Sequence, residues 1–204
     1  MTYPIIHRTL EQRSEEWFKA REKKMTASNA QAIGNAGKGM DTYIYKLMAS
    51  YYSTRVSEGF DNEHTQRGVE LEPIARDIYE LETGVITEEV GFIEYSEFVG
   101  GSPDGLVSDN GIIEVKCLDD TKHFKVLLHG EKAIDSAYKW QMQMLIFITG
   151  REWCDYVGYN PNFGNDSLYI KRFFPDPDMH EKLLNGFEKG KDLITKIIQS
   201  YEQR

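Results

Sequence analysis

Asp104, Glu114 and Lys116 are side chains of the kinds that hold a divalent cation and stabilise charge at phosphorus. Glu114 and Lys116 alternate with apolar residues, and side chains two apart on a strand share a face. Carboxylate oxygens are ligands that Mg²⁺ prefers, and an ammonium can orient water or stabilise a developing phosphorane. Together these residues predict metal-dependent hydrolysis of a phosphodiester.

An antiparallel hairpin is the element predicted to position them. The apolar runs Leu106-Val107 and Ile112-Ile113 flank Asp109-Asn110-Gly111, whose glycine is expected to adopt the left-handed conformation that closes a three-residue loop. In this register Asp104 lies opposite Lys116 and on the same face. A solvated face of an ordinary hairpin carries the same residue types, so the pattern alone leaves that alternative open.

A phosphate pocket is predicted near the N-terminus. Residues 13–24 form a helix that Ser14 caps and that ends in a basic run containing Arg21. Ser28 is expected to cap a second short helix that ends at Gly34. A serine hydroxyl and free backbone N–H groups beside an arginine can bind a phosphate, although a plain capping serine with an exposed arginine explains the same residues.

A long helix is predicted to begin at residues 67–68 and to end at Gly84, after a loop over residues 56–66. Glu72 lies just off its apolar stripe and can reach a third metal-ligand position. The alternative is that Glu72 belongs to a solvated acidic face. The predicted buried stripe consists of Leu71, Ile74, Ala75, Ile78 and Leu81.

A second, largely apolar helix is predicted over residues 134–149 and carries Gln141 and Gln143. A buried amide without hydrogen-bond partners costs about 1–3 kcal/mol, so both glutamines are expected to face the polar patch of the hairpin. One strand is predicted over residues 85–95, two more over 153–159 and 168–174, and a last helix over 177–201. This order predicts an α+β fold, with a central mixed sheet flanked by helices.

Composition predicts one domain over residues 1–204, in a cytoplasmic protein without a membrane span or a signal peptide. Cys117 and Cys154 are too few for an iron–sulfur nuclease, and the scattered histidines do not have the spacing of a zinc site. The net charge of −9 argues against a general nucleic-acid coat protein. An enzyme of this charge needs a local basic lining to bind DNA.

The sequence resembles the phage-lambda-type exonucleases, also called the YqaJ viral recombinase family, within the PD-(D/E)xK nuclease superfamily. The resemblance covers about residues 17–161, and its blocks occur in the expected order. The blocks are Trp17-x-x-x-Arg21-x-x-x-Met25-Thr26-Ala27-Ser28, Gly68-x-x-x-Glu72-x-x-Ala75, Ser102-Pro103-Asp104-Gly105-Leu106 with Glu114-Val115-Lys116-Cys117, and Gln141-Met142-Gln143 before Thr149.

The resemblance implies a role for each matching residue. Lys116 would activate or orient water, and Glu72 would complete the acidic site. Gln143 would contact the metal-bound water or the scissile phosphate, with Gln141 beside it. The metal ligands would be Asp104, Glu114 and the backbone carbonyl of Val115, and the residues that hold the 5′ phosphate would be Arg21 and Ser28.

The resemblance also implies an activity and its partners. It implies two Mg²⁺ or Mn²⁺ ions and alkaline-type 5′→3′ digestion of linear double-stranded DNA, which leaves 3′ overhangs for recombination. A ring-shaped homotrimer and a single-strand annealing protein as partner are implied as well. Two alternatives stay open: an endonuclease of the same superfold, and a non-catalytic acidic protein that mimics DNA.

Overall fold

The computed structural model describes residues 4–54 and 63–204, with side chains described outside residues 63–66. Seven α-helices and nine β-strands lie in these ranges. The helices are α1 Glu15–Arg21, α2 Ala30–Asn35, α3 Lys38–Tyr52, α4 Glu63–Thr83, α5 Asp120–His129, α6 Ser136–Thr149 and α7 Pro177–Glu202. The strands are β1 Ile5–His7, β2 Met25–Thr26, β3 Thr87–Glu88, β4 Phe92–Ser96, β5 Val99–Gly101, β6 Gly105–Val107, β7 Gly111–Cys117, β8 Trp153–Tyr159 and β9 Leu168–Phe173.

The strands form two mixed sheets. The larger sheet has the order β3-β6-β7-β8-β9, and the smaller has the order β1-β4-β5-β2. Each sheet has one parallel pair, β7 with β8 and β2 with β5. Helices α4 and α6 both pack against β7 and β8, and α7 packs against α2 and α6. The predicted α+β fold with mixed sheets and flanking helices is confirmed.

The predicted hairpin is present, with a register two residues away from the predicted one. Gly105 pairs with Ile113, so the next position along the strands sets Asp104 opposite Glu114. The predicted register had set Asp104 opposite Lys116. Asp104 itself lies in a bend before β6 and outside the ladder. A shift of two residues preserves the face of every side chain, whereas a shift of one would have reversed it.

The loop of this hairpin closes at a residue other than the predicted glycine. Ser108 has the left-handed conformation, with φ of 47°, while Gly111 is already paired with Val107 in the ladder. A Cβ atom at Gly111 would lie 2.1 Å from the ring of Trp153. Gly111 is therefore required because the ring of Trp153 covers its Cα, and not because of the turn.

Helix α4 begins at Glu63, within the segment predicted as a loop, and residues 56–62 of that segment lie outside the described residues. Its buried stripe also differs from the predicted one. Ile74 is 46% exposed and Leu81 is 84% exposed, whereas Ala75 and Tyr79 are fully buried. The helix turns the side that carries Ala75 and Tyr79 toward β7, where they pack against Ile113.

The strand predicted over residues 85–95 is two strands in two sheets. β3 pairs with β6 in the larger sheet, and β4 pairs with β1 and β5 in the smaller one. The chain passes between the sheets at Gly91, where a Cβ atom would lie 1.9 Å from the carbonyl oxygen of Leu10. The apolar pattern predicted extended structure here, but neither the break into two strands nor the change of sheet.

The N-terminal helices differ from the prediction at Ser28 and Gly34. Ser28 lies within a 3-10 turn over Ala27–Asn29 and does not cap α2. Helix α2 continues through Gly34 to Asn35. Gly34 is close to the ring of Trp140, which a Cβ atom would approach to 2.2 Å. None of the described helices is long and apolar enough to cross a membrane.

Candidate active site

Strand β7 places Glu114 and Lys116 side by side, as the alternation predicts. Lys116 Nζ lies 2.5 Å from Glu114 Oε1, and it also lies 5.0 Å from the ring centroid of Tyr138 on α6. Glu114 is 1% exposed. The β-branched residues Ile113 and Val115 pack on the opposite face of the strand, against α4. This packing directs the carboxylate and the ammonium toward α6.

Asp104 joins this pair through the backbone of the strand. The N–H of Val115 donates a hydrogen bond of 2.7 Å to Asp104 Oδ2. Because Asp104 lies in a bend just before β6, its carboxylate is not restricted to one side of the ladder. The three residues predicted from spacing are thus brought together.

Glu72 reaches the same cluster from α4. It lines a cavity of about 380 Å³ together with Asp104, Arg13 and Arg76. Its carboxylate lies 3.7 Å from Arg76 Nη2 and 4.0 Å from Arg13 Nη2. Glu72 therefore lies beside the acidic site rather than on a solvated face.

Burial and mutual repulsion change the protonation of these carboxyl groups. Burial and then the charge of Asp104 raise the pKa of Glu114 to about 8, against the lowering effect of Lys116. Burial and then Asp104 raise the pKa of Glu72 to about 7. Burial acts to lower the pKa of Lys116, but Glu114 and Asp104 together raise it above its ordinary value. Lys116 therefore stays charged beside carboxyl groups that bind protons readily.

The donor set suits a hard cation of the magnesium type. Glu114 Oε2 is buried and has no hydrogen-bond partner among the described residues. Within residues 4–54 and 63–204, no group of three or more His, Cys, Asp or Glu side chains is arranged to hold a metal ion by itself. Mg²⁺ usually takes only one or two carboxylates and completes its shell with water and phosphate oxygens. Asp104 and Glu114 fit that pattern, and the carbonyl of Val115 as a third ligand stays a prediction.

Gln141, rather than Gln143, lies at the cluster. Gln141 Nε2 donates a hydrogen bond to Glu114 Oε1. Gln143 instead donates to the carbonyl oxygen of Phe174 at 2.9 Å and accepts from the N–H of Asp176 at 2.8 Å. Residues two apart on a helix point about 200° away from each other, so the two amides cannot face the same site. The prediction that both face the patch was wrong for Gln143.

Arg21 and Ser28 line one cavity of about 600 Å³, as the predicted phosphate pocket requires. The guanidinium of Arg21 stacks 4.0 Å above the ring of Trp17 and makes no ion pair with a described residue. Burial lowers the pKa of Arg21 to about 10, which leaves it charged at neutral pH. A partly buried cation without an anionic partner among the described residues is a suitable site for a phosphate.

Sequence reasoning missed Tyr43, which also lines this pocket, and the contact of Arg21 with Ser102, which does not line it. The backbone N–H of Thr26 donates a 3.0 Å hydrogen bond to the hydroxyl of Tyr43, and both residues line the cavity. Ser102 Oγ accepts hydrogen bonds from Trp17 at 3.0 Å and from Arg21 at 3.5 Å. The spacing of Trp17 and Arg21, four apart on a helix, indicates their stacking. No local signal connects Tyr43 to the pocket.

Comparison with known families identifies the chain. The model of the YqaJ-like viral recombinase domain matches residues 16–152, which is more than half of the sequence. The chain belongs to the YqaJ-like viral recombinase family. A comparison with curated proteins gave no match. The predicted family is therefore confirmed.

Solved structures of exonucleases are similar to this YqaJ-like protein. The alkaline exonuclease LHK-Exo from Laribacter hongkongensis is 31% identical, with a TM-score of 0.79, over 93% of this chain and 99% of the other. Its complex with dAMP has a TM-score of 0.78 at the same identity and coverage. A phage related exonuclease from Haemophilus somnus 129PT, 19% identical with a TM-score of 0.67 over 87% of this chain and 96% of the other, supports the fold alone. Family and fold together support a nuclease that acts on DNA.

The protonation of Glu72 and Glu114 predicts how the stability of the metal-free YqaJ-like protein depends on pH. Their pKa values rise from 4.5 to about 7 and about 8. Between pH 4.5 and pH 8 the folded protein therefore binds protons that the unfolded chain has released. The free energy of unfolding is expected to fall over this range, by up to about 1.4 kcal/mol per pH unit for each group. Thermal unfolding in EDTA at several pH values measures the effect.

Glu114→Gln is the matched control, because it removes one titrating group and keeps the shape of the side chain. Its stability is expected to depend less steeply on pH than that of the wild type. Mg²⁺ must displace the bound protons, so it should stabilise the wild type more at about pH 8.5 than at about pH 6. Parallel pH profiles for the two proteins would contradict the assignment.

Substitution of the two glutamines is expected to have opposite effects, on turnover for Gln141 and on stability for Gln143. Gln141→Ala removes one of the two partners of Glu114 Oε1 and is expected to reduce turnover about 10–100-fold. Lys116 still contacts the same atom, so the loss of stability should be smaller than for Gln143→Ala. Gln143→Ala leaves the carbonyl of Phe174 and the N–H of Asp176 without partners, so it should lower the free energy of unfolding by about 1–3 kcal/mol. DNA-digestion rates and chemical denaturation of both variants provide the test. If Gln143→Ala lost activity at unchanged stability, the placement would be wrong.

Proposed function

We propose that this protein is a metal-dependent 5′→3′ exonuclease that digests one strand of linear double-stranded DNA and leaves 3′ single-stranded overhangs. The proposal depends on the connection between the acidic cluster of Asp104 and Glu114 and the cavity lined by Arg21. The carboxylates Asp104 and Glu114 lie beside Lys116, and Arg21 lines a separate cavity and forms no ion pair within the described part of the chain. Ser102, two residues before Asp104, accepts a hydrogen bond from Arg21 and so connects the two sites.

The chain's own residues prepare the reaction. Asp104 and Glu114 would hold two Mg²⁺ ions, for which Mn²⁺ can substitute, and these ions supply an activated water and neutralise charge on the phosphate. Glu114 Oε1 is already engaged by Lys116 and Gln141, which leaves Oε2 as the free donor atom. Lys116 stays charged and lies where it can orient water or stabilise negative charge at phosphorus.

The cavity of Arg21 would define the polarity of digestion. A strand whose 5′ phosphate is bound by Arg21 and Ser28 would extend past Ser102 toward Asp104. The cavity of about 600 Å³ has room for a terminal nucleotide as well as its phosphate. The structure of LHK-Exo in complex with dAMP supports a nucleotide-sized site in this fold. Such a site favours ends, because a continuous strand has no terminal phosphate to offer.

Family membership supports three further parts of the proposal. We propose a single nuclease domain over residues 1–204 that assembles as a ring-shaped homotrimer. We also propose that the protein acts in the cytoplasm, where its overhangs feed recombination by a single-strand annealing protein. The alternatives are an endonuclease of the same superfold and an acidic DNA mimic. The mimic has no use for a buried Glu114 beside Lys116, because a mimic displays its carboxylates on the surface.

Digestion of linear duplex DNA, with the two strands carrying different labels, tests the activity. With Mg²⁺ the wild type is expected to remove the 5′-phosphorylated strand, and EDTA should abolish digestion. Lys116→Ala removes one charged donor and should reduce turnover on the order of 100–1000-fold while the protein stays folded. Covalently closed circular DNA is the control substrate. Its cleavage would favour the endonuclease, and no digestion of any substrate would favour the mimic.

Arg21→Gln tests the 5′-phosphate pocket. Loss of a charged hydrogen bond of about 1.5–3 kcal/mol corresponds to a loss on the order of 10–100-fold in kcat/KM. This loss is expected on 5′-phosphorylated ends only. The same duplex with 5′-hydroxyl ends is the internal control, and wild type and variant should digest it equally. Equal losses on both substrates would show that Arg21 does not contact the terminal phosphate.

A further inference from the structure

Arg13 holds a backbone conformation that residues other than glycine rarely adopt. Its φ is 72°, in the left-handed region. Such a conformation persists where neighbouring groups fix it, and outliers of this kind cluster at functional sites. On one side, Gln12 Nε2 donates hydrogen bonds to the carbonyls of Val90 and Pro103, at 3.0 and 3.3 Å. On the other side, Ser14 caps α1.

This anchoring places Arg13 next to the carboxylates of the active site. Pro103 directly precedes Asp104, so the hydrogen bond from Gln12 ties the backbone beside Arg13 to the catalytic segment. The side chain of Arg13 lines the cavity of about 380 Å³ that also contains Asp104 and Glu72. A residue under backbone strain thus projects a cation into the mouth of the acidic cluster.

The guanidinium of Arg13 is available to a ligand. Its nearest anionic group is Glu72 Oε2, at 4.0 Å from Nη2, and its side chain is 49% exposed. It makes no hydrogen bond to a described residue. Arg76 is 9% exposed and already contacts both Glu72 and Glu89, so Glu72 has a cationic partner without Arg13. The donors of Arg13 are therefore not needed to neutralise the fold's own carboxylates.

We infer that Arg13 binds a phosphate of the cleaved DNA strand at the mouth of the catalytic cluster. This phosphate contact is separate from the 5′-phosphate pocket of Arg21, and the inference rests on the proposed nuclease function. A planar guanidinium binds a phosphate with two parallel hydrogen bonds, a geometry that a lysine cannot reproduce. The strained backbone aims this group at a point beside Asp104 and Glu72.

The two arginines are connected through Gly91. Its carbonyl accepts a 3.0 Å hydrogen bond from Trp17, whose ring stacks on Arg21, and Gly91 also lines the cavity of Arg13. The cavity of Arg13 is therefore linked through Gly91 and Trp17 to the guanidinium of Arg21. A strand held by both would have its phosphates fixed on two sides of the bond to be cleaved.

The salt dependence of DNA binding tests the inference. Affinity for a 5′-phosphorylated duplex is measured by fluorescence anisotropy from about 50 to 300 mM NaCl, with Ca²⁺ replacing Mg²⁺ and intact substrate verified on gels. Loss of one phosphate contact reduces the slope of log K against log salt by about 0.9. Arg13→Gln is expected to show this reduction and a lower kcat/KM. Arg13→Lys is expected to keep the slope and to recover part of kcat/KM.

Arg13→Gly separates binding from folding. Glycine adopts a φ of 72° without strain, so this variant is expected to unfold at the wild-type temperature or above it. Its slope of log K against log salt should nevertheless be reduced as much as that of Arg13→Gln. A residue with only a structural role would show the reverse, a lower unfolding temperature with the slope unchanged. That result would overturn the inference.

Lys182→Gln on α7 is the matched control, because it removes one positive charge from an exposed residue outside both cavities. Its salt slope and kcat/KM are expected to equal those of the wild type. If Lys182→Gln reduced the slope of log K against log salt as much as Arg13→Gln does, the reduction would reflect net charge, and the inference would be wrong. If the wild type digests DNA and Arg13→Gln has the same salt slope and kcat/KM as the wild type, the role of Arg13 would be overturned and the proposed function would stand. A wild type that neither binds nor digests DNA would overturn the proposed function, and this inference with it.

Discussion

The burial of the Glu114 carboxylate is the constraint on which the rest of the site depends. A carboxylate that is 1% exposed is costly unless charged or hydrogen-bonding groups surround it. Lys116 and Gln141 both contact Oε1 of Glu114 and partly offset this cost. Oε2 has no hydrogen-bond partner among the described residues. Folding therefore leaves one oxygen of a buried carboxyl group without a partner among the described residues, and on the proposed function this oxygen would bind the cation. The apolar helix α6 must carry one amide at the position that faces β7, and β7 must be covered on its other face by α4.

This constraint also explains which parts of the site were predictable. Glu114 and Lys116 follow from the two-residue period of a strand, and the register error of two residues left their faces unchanged. Asp104 lies outside the ladder and joins them through the N–H of Val115. The choice between Gln141 and Gln143 did not follow, because both occur in a helix that is apolar on most sides. Its rotation is set by packing on β8 and α7, which no local pattern encodes. On a helix of 3.6 residues per turn, residues two apart lie on nearly opposite faces, so an error of two residues selects the wrong glutamine.

Differences elsewhere have the same origin. Leu81 and Ile74 fit an apolar stripe in the sequence, yet α4 buries Tyr79 together with the predicted Ala75. The phenol of Tyr79 donates a 2.8 Å hydrogen bond to buried Asp155. Gly34 and Gly111 were interpreted as a helix stop and a turn residue. In the structure each makes room for a tryptophan ring that is distant in sequence. Glycine next to a ring is a tertiary requirement, and a local pattern cannot distinguish it from a turn.

The net charge of −9 gives a physical reason for concentrating cations in cavities. An acidic outer surface repels the DNA backbone, which weakens the non-specific binding that would hold a nuclease along intact duplex. On the proposed function, binding would then depend on groups that reach a phosphate from within a cavity, such as Arg21 stacked on Trp17. A cation in a partly desolvated cavity is screened less by salt than one on the open surface. On the proposed function, this distribution of charge would favour ends over internal sites, because a strand end can enter a cavity and an uninterrupted duplex cannot.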